Sequence, residues 1–232
     1  MKVENVDFIL TDIEGTTTSI SFVYEVLFPY FRENISKLKT MIHLDEVAEA
    51  FQQTAEIIEQ EEGKIVTDHD ALIATLLKWS LEDRKIKPLK TVQGFLWRTG
   101  YESGEILGHV YSDVPVALEK WKKEGVQMGV FSSGSVAAQK LIFGFSEQGD
   151  LTPFFSAYFD INTGGKRDAE TYEIIAKNIS VSNEHILFLS DIVEELVAAD
   201  EAGFQTIQLV REGNTANWKS HVSDFSEIQI EK

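Results

Sequence analysis

The stretch FILTDIEGTT, residues 8–17, ends an apolar run with two acids, Asp12 and Glu14, that are separated by a single residue. Side chains alternate along an extended strand, so both carboxylates face the same way if strand geometry continues past Thr11. Two like charges held that close favour a bound cation, whereas a solvated turn after a strand is the simpler alternative. The arrangement of the remaining chain decides between these two interpretations.

Other short apolar runs also end in polar or acidic residues. With the first one, they are VDFILTD (6–12), VQMGVFSS (126–133), the weaker SAYFD (156–160), ILFLSD (186–191) and FQTIQLV (204–210). Continuous apolar runs of this length are typical of parallel strands buried on both faces. Helical periodicity alternates with them over residues 114–125, 135–145, 169–179 and 194–203. The sequence therefore predicts an α/β fold with a doubly wound, Rossmann-like parallel sheet.

The interval from residue 19 to residue 111 has a different pattern. Apolar residues recur with helical spacing over 23–39, 45–63 and 69–84, and no segment has the pattern of a strand. We therefore expect an inserted all-helical cap domain at 19–111, and a discontinuous catalytic core formed by 1–18 and 112–232. An insertion directly after the first strand would lie over the carboxyl edge of the sheet, where it can act as a lid.

Composition limits the partners of this chain. The 232 residues carry a formal net charge of −17, which argues against nucleic acid or an anionic membrane surface as a partner. The chain has no cysteine, which excludes disulfides and thiolate metal sites and fits a reducing compartment. No signal-peptide pattern and no run of ~20 apolar residues is present. We expect a soluble cytoplasmic protein.

Polar residues follow the predicted strands, and the carboxyl ends of parallel strands meet at one edge of a sheet. They are Asp12 and Glu14 after the first strand, Ser132, Ser133 and Gly134 after the second, Lys166 after the weak strand, and Asp191 after ILFLS. Carboxylates bind hard cations such as Mg²⁺, and hydroxyls with amides at a helix start bind phosphate oxygens. The set predicts metal-assisted phosphoryl transfer, with the lysine and the metal supplying the positive field.

Each of these residues also has a simpler interpretation when it is taken alone. Ser132 to Ser135 form a normal helix N-cap sequence, Lys166 is typical of a solvated loop, and Asp191 could cap the next helix. Only their joint placement at successive strand ends favours a shared site. The five histidines have no metal-ligand spacing.

The motifs DIEGT (12–16), FSSGS (131–135), GGK (164–166) and LSDIVEE (189–195) resemble the four motifs of the haloacid dehalogenase superfamily of phosphatases. The segments at 10–31, 93–104, 132–151 and 188–203 are similar to the enolase-phosphatase (acireductone synthase) family of methionine salvage. Glu14 is the specific mark of that family, because most phosphatases of the superfamily carry Asp at this position.

The resemblance implies a role for each motif residue. Asp12 is the nucleophile that forms an aspartyl-phosphate, and it binds a single Mg²⁺ together with Glu14 and Asp191. Glu14 also occupies the acid/base position. The phosphate is bound by Ser132, Ser133 and Lys166, and Glu195 is a partner for metal-bound water. The implied substrate is 2,3-diketo-5-methylthiopentyl-1-phosphate, and the family is expected to be monomeric.

Two alternatives remain open. A phosphorelay receiver also places acids, a hydroxyl and a lysine at strand ends, but its phospho-acceptor follows the third strand and it has no inserted cap. A second alternative is another small-molecule phosphatase of the same superfamily, such as a phosphoglycolate phosphatase, and Glu14 argues against it.

Overall fold

The structure, a computed structural model, describes residues 1–211, 213 and 215–231. The chain divides into two compact units. The sheet unit consists of Met1–Ile20 and Leu107–Lys232, and the helical unit consists of Ser21–Ile106. The boundaries between the units fall at 20/21 and 106/107, and the predicted domain boundaries are at 18/19 and 111/112.

The helical unit is built from amphipathic helices around its own apolar core. Its helices are α1 (Ile20–Phe22), which begins at the unit boundary, a π-helix (Val23–Leu27), α2 (Phe28–Asn34), a 3₁₀-helix (Ile35–Thr40), α3 (Asp45–Glu62), α4 (His69–Leu81) and α5 (Lys87–Ser103). Asp68 caps α4, because its carboxylate accepts the Ala71 N–H at 2.9 Å. Gly63 ends α3 in the left-handed conformation, at φ +68°. The three predicted helical segments are confirmed. Helix α5 lies inside the predicted interval 19–111 but outside those three segments.

The sheet unit contains eight strands within the described residues. They are β1 (Lys2–Glu4), β2 (Phe8–Thr11), β3 (Gln127–Phe131), β4 (Ala157–Phe159), β5 (Ile186–Ser190), β6 (Gln205–Leu209), β7 (His221–Val222) and β8 (Gln229–Glu231). Six of them form one sheet in the order β4-β3-β2-β5-β6-β7, and β1 pairs with β8. All described pairs are parallel. The predicted α/β class and parallel sheet are therefore confirmed.

Helices connect the parallel strands of the sheet unit. They are α6 (Asp113–Lys123), α7 (Val136–Gly144), α8 (Ala169–Ile179) and α9 (Val193–Glu201). Ser135 caps α7 and Asp168 caps α8 with their side-chain oxygens. The described helices include none that is both long and apolar enough to cross a bilayer.

Strand register places the candidate residues at one level of the sheet. Thr11 of β2 is aligned with Val130 of β3 and with Leu189 of β5. Strands β2 and β5 are buried along their whole length, which explains their continuous apolar sequence. Strands β3 and β4 lie on one side of β2, and β5, β6 and β7 lie on the other. The strand order therefore reverses between β2 and β5, so the carboxyl ends of these two strands form the topological switch point.

Candidate active site

Asp12 lies at the carboxyl end of the central strand and is almost fully buried, with 3% of its surface exposed. Its backbone N–H donates to the Leu189 carbonyl at 2.9 Å, which extends the sheet ladder by one residue and fixes the start of the loop. Its carboxylate Oδ1 accepts from the Lys166 ammonium at 2.5 Å. A buried carboxylate needs such a partner, because an unpaired buried charge is strongly unfavourable.

Lys166 is buried rather than solvated and contacts two carboxylates. Its Nζ lies 2.5 Å from Asp12 Oδ1 and 2.7 Å from Glu195 Oε2. Burial alone would lower the pKa of Lys166, but the charges of Asp12 and Glu195 outweigh burial and raise this pKa above its usual value. The Tyr172 hydroxyl donates to the Lys166 carbonyl at 2.7 Å and so anchors the GGK loop. The lysine therefore carries a fixed positive charge into the site.

Glu195 is placed beside the lysine. Its Oε2 accepts hydrogen bonds from Lys166 and from the Ser190 hydroxyl, the latter at 2.9 Å. Burial, followed by the charge of Asp12, raises the pKa of Glu195 to about 7. The resemblance predicted that Glu195 contacts metal-bound water, and the structure gives its carboxylate these two protein donors.

Glu14 faces the loop that follows β3. Its Oε2 accepts from the Ser132 hydroxyl at 3.1 Å. Burial and then the nearby charge of Asp12 raise the pKa of Glu14 above its usual value. The elevated pKa lets Glu14 hold a proton closer to neutral pH than an ordinary glutamate.

The SSGS loop lies at the start of α7. Ser132 is fully buried, and its Oγ donates to Glu14 and accepts the Gly134 N–H at 3.1 Å. Ser133 is exposed at the same loop. Gln139 fixes the loop, because its side-chain amide donates a hydrogen bond to the Gly134 carbonyl at 2.8 Å. The loop thus presents hydroxyls and N–H groups close to the carboxylates.

Asp191 follows β5 and has an unusual environment. Its Oδ1 is buried and has no hydrogen-bond partner among the described residues. Burial and then the charge of Asp12 raise the pKa of Asp191 to about 7. A buried, unpaired carboxylate oxygen beside a second carboxylate is a position that a cation would stabilise.

The predicted metal ligands Asp12, Glu14 and Asp191 do not form a ready cluster of three side chains. Over residues 1–211, 213 and 215–231, no group of three or more His, Cys, Asp or Glu side chains is arranged to hold a metal. The Asp12 and Glu14 carboxylates accept hydrogen bonds from Lys166 and Ser132 instead. The oxygen donors of these three acids fit a hard cation.

Four residues that the sequence did not single out shape this site. Gly15 has φ +80°, and a Cβ there would lie 2.3 Å from Asp191 Oδ2, so only glycine fits. The Thr16 hydroxyl accepts the Asp191 N–H at 3.1 Å, and Gln208 donates to the Asp191 carbonyl at 3.1 Å. Arg211 donates to the Thr16 carbonyl at 3.0 Å. Gly15 and Thr16 belong to the DIEGT motif, whereas Gln208 and Arg211 carry no local signal.

Comparisons with known proteins agree with this architecture. The family model described as haloacid dehalogenase-like hydrolase matches residues 6–203. An enolase-phosphatase E1 from Picosynechococcus is 50% identical, over 96% of this chain and 98% of the relative. One from Hahella chejuensis is 48% identical, over 96% of this chain and 95% of the relative. The crystal structure of the Unknown transcript 4 protein from Saccharomyces cerevisiae is 35% identical, with a TM-score of 0.81 over 96% of this chain and 100% of that one.

Proposed function

Because the chain belongs to the haloacid dehalogenase-like hydrolases and to the enolase-phosphatase E1 family, we propose that it acts in methionine salvage. The reaction enolises 2,3-diketo-5-methylthiopentyl-1-phosphate and releases phosphate, which leaves the acireductone 1,2-dihydroxy-3-keto-5-methylthiopentene. The chain is thus a phosphoric monoester hydrolase with an additional enolase step. The family assignment favours this enzyme over the phosphorelay receiver alternative.

The observation that carries the proposal is the buried contact between Asp12 and Lys166 at the end of the central strand. Asp12 is the nucleophile: its carboxylate forms a bond to phosphorus while the bond from phosphorus to the substrate oxygen breaks. Water then hydrolyses the aspartyl-phosphate. Lys166 holds the Asp12 carboxylate in place and offers its positive charge to the phosphoryl oxygens, which gain negative charge in the transition state.

Glu14 is suited to both proton transfers. As a carboxylate it removes a proton from the carbon that bears the phosphate, while the neighbouring carbonyl oxygen takes a proton from solvent. As the resulting acid it protonates the leaving oxygen. The raised pKa favours keeping that proton between the two steps. Ser132 donates to Glu14 Oε2 and so orients the carboxylate. A base from the helical unit is the rival for the first step.

Phosphate binding is assigned to the SSGS loop and the lysine. Exposed Ser133 and the N–H groups at the start of α7 supply hydrogen bonds, and Ser132 and Lys166 complete the set. No arginine cluster is needed, because Lys166 already lies beside the nucleophile.

One Mg²⁺ per chain is proposed as the cofactor, with Asp12 and Asp191 as side-chain ligands and Glu14 contributing to the site. The unpaired, buried Oδ1 of Asp191 supports this assignment. When bound, the cation would neutralise charge on the phosphoryl oxygens and on the two acids. It would also offset the burial and the repulsion by Asp12 that together raise the pKa of Asp191.

The remaining assignments follow from the family. We propose that residues 1–18 and 112–232 are the catalytic core and that the helical segment 19–111 is a cap that selects the substrate. Within the helical unit, Tyr101 is only 2% exposed and therefore packs in the core, whereas Phe28 and Trp97 are half-buried, with ring centroids 6.3 Å apart.

A cytoplasmic monomer is proposed, and sedimentation of the purified chain tests the monomeric state.

A single assay tests the function. The purified chain is incubated with the diketo-phosphate and Mg²⁺ while inorganic phosphate and the ultraviolet absorbance of the enediol product are followed together. We expect both signals to rise and both to stop when EDTA is added. Full turnover in excess EDTA, or phosphate release without the enediol, would contradict the proposal.

The nucleophile has a matched control, Asp7, at the opposite end of β2. Asp12→Asn replaces the nucleophilic carboxylate by a neutral amide and should abolish phosphate release without preventing folding. Asp7→Asn changes an exposed aspartate just before β2, whose carboxylate contacts only His185 in the described structure at 2.8 Å, and should leave turnover unchanged. A beryllium fluoride adduct on any carboxylate other than Asp12 would refute the assignment.

A further inference from the structure

The loops that follow β2 and β5 are joined through Thr16. The Asp191 N–H donates to the Thr16 hydroxyl at 3.1 Å, and Gly15 lies against the Asp191 carboxylate. Thr16 is fully buried, so water does not compete for this hydrogen bond. The position of the Asp191 backbone therefore depends on where Thr16 is held.

One oxygen of the Asp191 carboxylate, Oδ1, lacks a hydrogen bond within the described residues. The side chain therefore takes its direction mainly from the backbone. That backbone is held on both sides, at the N–H by Thr16 and at the carbonyl by Gln208, whose amide nitrogen lies 3.1 Å away. We therefore expect a displacement of Thr16 to shift the carboxylate as well.

Arg211 holds Thr16 from the far side of the loop. Its Nε donates to the Thr16 carbonyl at 3.0 Å, and its two terminal nitrogens bind both oxygens of Asp113 at 3.0 Å and 2.9 Å. The guanidinium carbon lies 4.2 Å from the centroid of the Tyr111 ring and 5.3 Å from that of Phe225. The fork of Arg211 is therefore fixed in direction by a bidentate ion pair and two aromatic rings.

Stability alone does not explain this ion pair. The Arg211 and Asp113 side chains are only 7% and 15% exposed. The free-energy cost of removing two charges from water offsets much of their mutual attraction. Apolar residues of similar volume often stabilise such a position equally well. An apolar side chain, however, could not donate to the Thr16 carbonyl.

We propose that Arg211 is a positioning residue for the metal carboxylate Asp191 and that it acts through Thr16; this inference rests on the proposed function. Arg211 makes no contact with Asp12, Glu14 or Asp191 in the described structure and is held by Asp113 at the start of α6. The C-terminal part of the chain thereby sets the geometry of two loops that precede it. Partners one step beyond a metal ligand commonly control its affinity for the metal.

A double-mutant cycle on Mg²⁺ affinity tests the proposal. Mg²⁺ binding is measured by calorimetry without substrate for Arg211→Lys, which keeps the charge but loses the fork, and for Thr16→Val, which keeps the shape but loses the hydroxyl. We expect each variant to raise the dissociation constant by ~10-fold or more. The double variant should be no weaker than the weaker single variant, because both changes interrupt one connection.

Two controls separate positioning from a general loss of stability. Thr16→Ser restores the hydroxyl and should bind Mg²⁺ like the wild type. Phe51→Leu shortens a buried side chain in the apolar core of the helical unit, so it should lower the melting temperature and leave the Mg²⁺ dissociation constant within about twofold.

The outcomes distinguish this inference from the function on which it rests. If the wild-type chain binds no Mg²⁺, the metal assignment fails and the role of Arg211 fails with it. If the wild type binds Mg²⁺ and Arg211→Lys binds it equally well, only the positioning role is overturned. Effects of Arg211→Lys and Thr16→Val that multiply in the double variant would likewise overturn it, because the two residues would then act separately.

Discussion

Replacement of Lys166 by methionine gives the sharpest test of the electrostatics of the site. The ammonium lies 2.5 Å from Asp12 and 2.7 Å from Glu195, and the side chains of Lys166, Asp12 and Glu195 are 7%, 4% and 11% exposed. Lys166→Met keeps the length of the side chain but leaves two buried carboxylates without a counter-charge. Breaking a buried pair in this way costs ~3–5 kcal/mol, a large part of the ~5–15 kcal/mol that stabilises a typical domain.

The loss of stability in Lys166→Met depends on pH, and its sign follows from linkage. Burial and Asp12 raise the pKa of Glu195 to about 7, and the lysine opposes this rise, so its removal raises that pKa further. When the pKa of a carboxyl is higher in the folded state than in the unfolded state, the folded state binds more protons between these two pKa values. The free energy of unfolding therefore falls as pH rises through that range. The variant should therefore lose more stability at about pH 8 than at about pH 5.

Urea unfolding of the metal-free protein at both pH values measures this difference. Lys123→Met, which removes the same side chain from an exposed pair with Glu119, is the matched control and should unfold like the wild type. Lys166→Met with Glu195→Gln should recover part of the stability, because one unpaired charge is gone. A loss below ~1 kcal/mol at about pH 8, or an equal loss at both pH values, would refute the reasoning.

Three further substitutions test other contacts of the site. Gly15→Ala places a methyl group on Asp191 at a φ of +80°, and we expect a loss of ~1–3 kcal/mol in urea unfolding; unchanged stability would contradict the close approach. Asp191→Asn removes a carboxyl with a pKa of about 7, so the metal-free variant should lose less stability than the wild type as pH rises from about 4 to about 7. An unaltered pH slope would show that Asp191 does not titrate there. Glu14→Gln should abolish solvent-deuterium incorporation at the carbon that bears the phosphate, and incorporation at the wild-type rate would move the base elsewhere.

The main strands and most helices could be predicted because each carries a repeating local signal. Strands β2 and β5 are almost entirely apolar and buried, and the helices show apolar residues at helical spacing. Strands β1, β7 and β8 contain only two or three residues each and were not predicted. They form because segments from distant parts of the chain meet, as when Lys2 aligns with Gln229, and such pairing leaves no periodicity in the sequence.

The sequence by itself determined which residues end the strands and therefore which side chains gather at one edge of the sheet. The alternation of Asp12 and Glu14, the SSGS loop and the strand end at Asp191 are local features, and parallel pairing brings them together. Only the tertiary structure decided their partners. It directed Glu14 to Ser132, buried Lys166 between two acids and left Asp191 anchored by Thr16 and Gln208. The physical reason is that burial and hydrogen-bond partners depend on loops that are distant in the chain, so no local pattern encodes them.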